Sequence, residues 1–205
     1  MAIINQATKE LQVKIVYYGP AKSGKTTNLE QIHRDVQIPE NTVKGKLTSL
    51  ATSSDRTLFF DFFPLEAVAI RGFKTKFALF TVPGQAIYNA TRQIVLRGVD
   101  GIVFVAHSEY ERMEENVEAL RQMEENLKTL NLNLAEIPLV IQYNKRDLAE
   151  VAPVEYLNFV LNNREVEAPT FEASATQGIG VFESLNMITR MLLQKFLKET
   201  GRKAI

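Results

Sequence analysis

A chain of 205 residues holds one domain, or one domain with an appendage. Its 45% hydrophobic and 23% charged residues are ordinary for a globular protein, and 24 Lys and Arg against 24 Asp and Glu leave no net charge to favour nucleic acid or an anionic membrane. The lack of cysteine excludes disulfides and prenylation of a C-terminal Cys, Ala2 excludes N-myristoylation, and no apolar stretch has the length of a signal-peptide core or a membrane span. A cytoplasmic protein with no direct membrane anchor is the expectation.

Apolar runs alternate with helical periodicity along the chain. Residues 13–18 read as a first strand and 26–36 as a first helix, with Leu29, Ile32 and Val36 at spacings of three and four. The polar connection over roughly 37–56 is too long for a simple turn, and loops of that length are usually functional or disordered. Residues 57–63 and 74–82 form the next two strands, and the short link through Arg71-Gly72 makes them an antiparallel pair. A second long loop starts at Pro83-Gly84-Gln85 and passes into a helix ending near Arg97. Residues 101–106 are continuously apolar, as a strand covered on both faces would be. Ser108 and Glu111 have the spacing of a capping box for the next helix, whose Met113, Val117, Leu120, Met123, Leu127 and Leu130 lie along one stripe. A core strand at 139–143, a short helix at 154–162 and a short strand at 170–173 follow. The last helix runs from Val181 towards Lys198 with Leu185, Ile188, Leu192 and Phe196 inward. The alternation predicts one three-layer α/β domain over residues 1–205, with a six-stranded, mostly parallel sheet, one antiparallel strand and helices on both faces. Ligands on such sheets sit at the carboxyl ends of the strands, where every motif below falls.

Between the first strand and helix stands Gly19-Pro20-Ala21-Lys22-Ser23-Gly24-Lys25-Thr26, the G-x-x-x-x-G-K-T pattern of a phosphate-binding loop in its strand–loop–helix setting. Gly19 and Gly24 can take backbone angles that a Cβ would obstruct. The amides of Ala21, Lys22, Ser23 and Gly24 can then turn inward on anionic oxygens, and the following helix, opening with Lys25, Thr26 and Thr27, adds its positive end. Lys25 would reach the β- and γ-phosphates, and the Thr26 hydroxyl would bind Mg²⁺.

Two further motifs choose the base. Asn144-Lys145-Arg146-Asp147 follows one strand and Ser174-Ala175-Thr176 another, and in register with the phosphate loop they resemble the N-K-x-D and S-A-x motifs of small GTPases. Guanine presents N1–H and a 2-amino group along one edge, and a carboxylate such as Asp147 can accept both. Adenine would set a lone pair against that carboxylate, and sites built on such hydrogen bonds reject the wrong base by ~10⁴-fold or more. Asn144 would bond N7, the Lys145 stem would cover a ring face, and the Ala175 N–H would reach O6.

Thr81-Val82-Pro83-Gly84-Gln85 stands where small GTPases carry D-x-x-G-Q, with Thr81 in place of the Asp. Gly84 N–H would touch the γ-phosphate and Gln85 would orient the attacking water. Upstream, Thr57 can ligate Mg²⁺ when GTP is bound, and Arg56 lies beside it. The runs KIVYYGPxxSGKTTNL, LATxxDRTLFFDF, RGFKTKF, TVPGQ, LRGVDGIVFVA and IQYNKRDL closely resemble the MglA-type bacterial Ras-like GTPases of gliding motility and cell polarity, over nearly the whole chain. That resemblance implies a GTP/GDP- and Mg²⁺-dependent polarity switch, monomeric alone, which in its GTP form gathers at one cell pole and recruits effectors. A homodimeric roadblock-domain protein of the MglB type would activate hydrolysis, and Arg56 would act as an arginine finger in cis beside Gln85. Ala21 departs from the family's Gly, and His107 stands where the family usually has Asp. His107 reads as a hydrogen-bonded residue at a strand end. Ala21 opens an alternative, a GTP-dependent binding module that hardly hydrolyses; a trafficking-type GTPase at membranes lacks the lipidation sites it would need.

Overall fold

Alternation of period two along the central strands decides the layering. Strand β2 (Glu10–Tyr18) turns Leu11, Val13, Ile15 and Tyr17 to one face, where they pack with Leu29 and Ile32 of α1 (Lys25–Asp35) and with Val181, Leu185, Ile188, Leu192 and Phe196 of α5 (Val181–Gly201). Its Val16 and Tyr18 join the other core, with Val95 and Leu96 of α2 (Asn89–Leu96), Ala119, Met123 and Leu127 of α3 (Met113–Thr129), and Leu157 and Leu161 of α4 (Val154–Leu161). β6 (Gly101–His107) and β7 (Leu139–Asn144) are buried along their whole length, because both of their faces are covered. This computed structural model describes residues 3–5, 8–36, 48–52, 56–70, 73–84 and 88–201, with side chains for 8–36, 74–84 and 88–199.

Among the described residues the sheet has eight strands. Its order is β3 (Thr48–Thr52), β4 (Arg56–Ile70), β5 (Phe73–Thr81), β2, β6, β7 and β8 (Thr170–Glu172), with β1 (Ile3–Asn5) added on β2. β5, β2, β6, β7 and β8 run parallel. β4 is antiparallel to β5, as the short link through residues 71–72 requires. The expectation of six strands with one antiparallel member is corrected in two places. β3 comes from the stretch that reads as a polar loop and pairs antiparallel with β4, extending the edge as a hairpin. β1 pairs antiparallel with β2 from Ile3↔Gln12 to Asn5↔Glu10, and β6 joins β2 only from Ile15 onward, so β1 takes the ladder positions that β6 leaves open.

Two local expectations on α3 also change. The chain makes a 3-10 turn at Tyr110–Arg112 first, so Arg112 stands at the helix start and no capping box forms with Ser108, whose Oγ is buried without a partner among the described residues. Val117, assigned to the inward stripe, is 44% exposed. Among the described residues no helix is long and apolar enough to cross a membrane. Because the five central strands are parallel, the loops that follow β2, β5, β6, β7 and β8 all gather along one edge of the sheet.

One core group stands out energetically. The Tyr17 hydroxyl is fully buried with no hydrogen-bond partner among the described residues, and burial pushes its ionisation upward. Tyr17→Phe removes that polar atom at nearly constant shape and is expected to stabilise the fold by about 1 kcal/mol in urea unfolding. A loss of that size would contradict the unpartnered state of the hydroxyl.

Candidate functional site

The loop from β2 to α1 is built by close approaches. A Cβ on Gly19 would lie 2.1 Å from the Val105 carbonyl oxygen, and one on Gly24 would lie 2.1 Å from Asn144 Nδ2. Gly24 also has φ +100 and Lys22 φ +60, so the backbone turns sharply before α1 begins. Gly24 is the N-cap of α1; no side chain caps the helix there and its first turn holds no acidic residue. Lys25 is buried and its Nζ donates to the Gly19 oxygen at 3.1 Å and the Pro20 oxygen at 2.6 Å, which holds the ammonium under the start of the loop. Thr26 and Thr27 are half-buried in the first helical turn, Ser23 is buried and Lys22 is exposed. A positively ended helix with a lysine folded under a reversing backbone fits a polyphosphate. For a metal, no group of three or more His, Cys, Asp or Glu is gathered among the described residues. The Thr26 hydroxyl, in the first turn of α1, suits a hard cation once phosphate oxygens complete its shell.

Asn144, at the end of β7, joins three loops. Its Nδ2 donates to the Ser23 oxygen at 2.7 Å, and its Oδ1 accepts from the Ala175 N–H at 2.9 Å. The Ala175 N–H, expected to meet guanine O6, is thus engaged by Asn144 in this structure. Lys145 has φ +70, and its Nζ pairs with Glu109 Oε2 at 3.0 Å. Arg146 fastens the same turn: its N–H donates to the Ala173 oxygen at 2.9 Å, its guanidinium to the Ala152 oxygen at 2.6 Å and to Glu172 at 2.8 Å. Asp147 projects as an exposed carboxylate beside this braced turn. Ser174 is buried with its Oγ 3.3 Å from Thr176 Oγ1, and Thr176 is exposed.

Gly84 is pressed against the phosphate loop. A Cβ there would fall 2.3 Å from Ala21 Cα and 2.5 Å from its nitrogen, so only glycine lets the two backbones pass. A residue that spacing rules do not single out fixes this segment. Arg92 of α2 is 1% exposed, donates through Nε to the Pro83 oxygen at 2.9 Å and through Nη2 to the Gly84 oxygen at 2.6 Å, bonds Gln122 of α3, and lies over the Tyr18 ring at 5.6 Å. An arginine on the inward stripe of a helix is the sequence signal that could have found it. Gln85 lies outside the described residues. Arg56 and Thr57 begin β4, in register with Thr52 and Ala51, and their side chains lie outside the described set. The geometry therefore assembles Gly19 to Thr27, Gly84, Asn144 to Asp147 and Ser174 to Thr176 at one edge.

A profile of the ADP-ribosylation factor family matches residues 1–192. The chain belongs to this family of small GTPases. Family membership carries guanine-nucleotide binding and GTP hydrolysis as general properties. Within the family's wider compass the chain is similar to the mutual gliding-motility protein MglA of Myxococcus xanthus (strain DK1622), 49% identical over 198 residues that cover 97% of this chain and 99% of that protein. The MglA-type resemblance read from the motifs is borne out.

Arg92 offers a direct check on the segment it holds. Arg92→Met leaves the Pro83 and Gly84 carbonyls without their donors and should lower unfolding free energy by about 2 kcal/mol or more. Arg92→Lys should restore little of it, since one ammonium cannot span the two carbonyls and Gln122. Wild-type stability in both variants, read from urea melts, would mean the clamp carries no energy.

Proposed function

We propose that this chain is a GTP/GDP switch of the MglA type that controls cell polarity and motility by recruiting effectors in its GTP form, acting as one G domain over residues 1–205. The observation that supports this most is the Asn144 bridge, which joins a phosphate loop and a base loop across the sheet edge. In this reading Asp147 accepts both guanine donors, the second Nδ2 hydrogen of Asn144 meets N7, the Lys145 stem covers the ring, and Ser174, Ala175 and Thr176 close the base pocket. Gly19, Ala21, Lys22, Ser23, Gly24, Lys25, Thr26 and Thr27 surround the phosphates. Mg²⁺, held by Thr26 and in the GTP form by Thr57, would neutralise phosphate charge. Gln85 positions the water that attacks the γ-phosphorus, and Arg56 and Lys25 meet the charge developing on the phosphoryl oxygens. The protein is monomeric alone, cytoplasmic, and drawn to a cell pole by its partners; a homodimeric roadblock-domain protein of the MglB type is the partner that accelerates turnover.

Intrinsic turnover is slow in this reading. A second reading, a binding module that hardly hydrolyses, rests on the methyl that Ala21 carries in the phosphate loop, at a residue whose backbone Cα and nitrogen lie against Gly84. Single-turnover GTP hydrolysis, with and without a roadblock-domain partner, separates the two readings.

Asp147→Asn should weaken GDP binding by a few kcal/mol, because an amide cannot accept from both guanine donors, and should improve binding of xanthosine diphosphate. Unchanged GDP affinity would remove the basis for the base assignment. Ala21→Gly should speed single-turnover hydrolysis about tenfold, which needs only ~1.4 kcal/mol off the barrier. Equal rates at saturating Mg²⁺ would show that the loop absorbs the methyl.

A further inference from the structure

We infer that His107 and Glu109 form a positioning pair that ties the phosphate loop at Ala21 to the base-recognition residue Lys145. His107 closes β6 and is fully buried. Its Nε2 lies 2.9 Å from the Ala21 carbonyl oxygen, and its Nδ1 lies 3.2 Å from Glu109 Oε2. The same carboxylate oxygen is 3.0 Å from Lys145 Nζ. The main chain of His107 is held from both sides by Asn116, whose Oδ1 accepts the His107 N–H at 2.8 Å and whose Nδ2 donates to the His107 oxygen at 2.9 Å. The ring therefore has little freedom, and whatever it grips is held with it.

The chemistry of each contact sets its direction. A carbonyl oxygen can only accept, so Nε2 carries a proton and donates to Ala21. In a planar trans peptide the Ala21 oxygen and the Lys22 N–H point to opposite sides. Holding that oxygen towards β6 turns the Lys22 amide the other way, at a residue whose φ is +60. His107 thereby fixes the direction of a loop amide. On its other side the neutral ring presents a bare Nδ1 to a carboxylate, two acceptors face to face. The Lys145 ammonium on the same oxygen is what makes that approach tolerable. Burial would raise the Glu109 carboxyl, but the hydrogen bond and charge of Lys145 outweigh it and hold it below its ordinary value. Among the described residues the charged groups facing His107 are Glu109 on its own loop, Lys145 on the base loop and Glu115 on α3; the phosphate loop presents the Ala21 backbone. Burial, the largest influence, holds the ring below its ordinary titration range. Protonation keeps the Ala21 bond and adds a donor at Nδ1. Glu109 is then shared between two cations, and its hold on Lys145 slackens.

This inference rests on the guanine-nucleotide reading, so the test begins with the wild-type full chain and N-methylanthraniloyl-GDP, with release followed by stopped flow. Wild type should release the nucleotide faster as pH falls below the ordinary imidazole value of about 6.5, where His107 takes up its proton. His107→Leu fills the space without a donor, and its release above that value should be about tenfold faster or more. His107→Gln supplies an amide donor to Ala21 with nothing to titrate; its release should return towards wild type and lose the acid acceleration. Glu109→Gln should lose the acid acceleration as well. Should His107→Leu fail to fold, the pH profiles of His107→Gln and Glu109→Gln decide. A wild-type rate in His107→Leu, or a wild-type pH profile in the Gln variants, overturns the positioning pair. Wild type that takes up no labelled GDP defeats the nucleotide reading itself.

Discussion

The site depends on one side-chain amide. β2 and β7 are not neighbours, since β6 lies between them, so the loops that follow them meet only by reaching over the end of β6. Asn144 makes that span with both ends of its carboxamide, giving a donor to the Ser23 carbonyl and an acceptor to the Ala175 N–H. At 2% exposure none of these groups can turn to bulk water instead, and each buried group left unpaired would cost about 1–3 kcal/mol. The demand runs back into the phosphate loop: the amide needs the space that a Cβ on residue 24 would fill. Gly24 is thus required twice, by its backbone angle and by Asn144.

Around Ala21 a second convergence is built on the same principle. The Gly84 backbone packs on one part of that residue and His107 holds its carbonyl. Gly84 is in turn held by Arg92, whose guanidinium is buried between α2 and α3 beside the Tyr18 ring. A shift at the Gly84 segment has two routes outward. One runs through Arg92 to Gln122 on α3, and the other through Ala21 and His107 to Glu109 and Lys145. Packed groups of this kind move between discrete arrangements rather than by continuous deformation, which is what a two-state switch requires.

The parts of this arrangement legible in the sequence are those that local rules govern. Gly19, Gly24, Lys25 and Gly84 answer to backbone geometry within a few residues, and the core strands announce themselves by unbroken apolar runs. β3 did not, because Thr48-Ser49-Leu50-Ala51-Thr52 is a short polar segment whose strand state comes from the β4 edge beside it. β1, Ile3-Ile4-Asn5, is apolar enough but at three residues too short to show a period, and only the late start of β6 makes room for it. Arg92 and Asn116 escaped because their partners, Pro83 and Gly84 in one case and His107 in the other, are set by the fold and not by spacing. Ser108 and Glu111 show the reverse error, a correct spacing overruled when a 3-10 turn enters before α3.

The loops tied by Asn144 are built to read guanine. Equilibrium titration of the nucleotide-free chain with GDP and with ADP, under one buffer and Mg²⁺ concentration, tests it with nothing else altered. GDP should bind tighter by about 10⁴-fold, the discrimination available to a site whose buried polar groups are left unpaired by the wrong base. Equal affinity for the two nucleotides would contradict it.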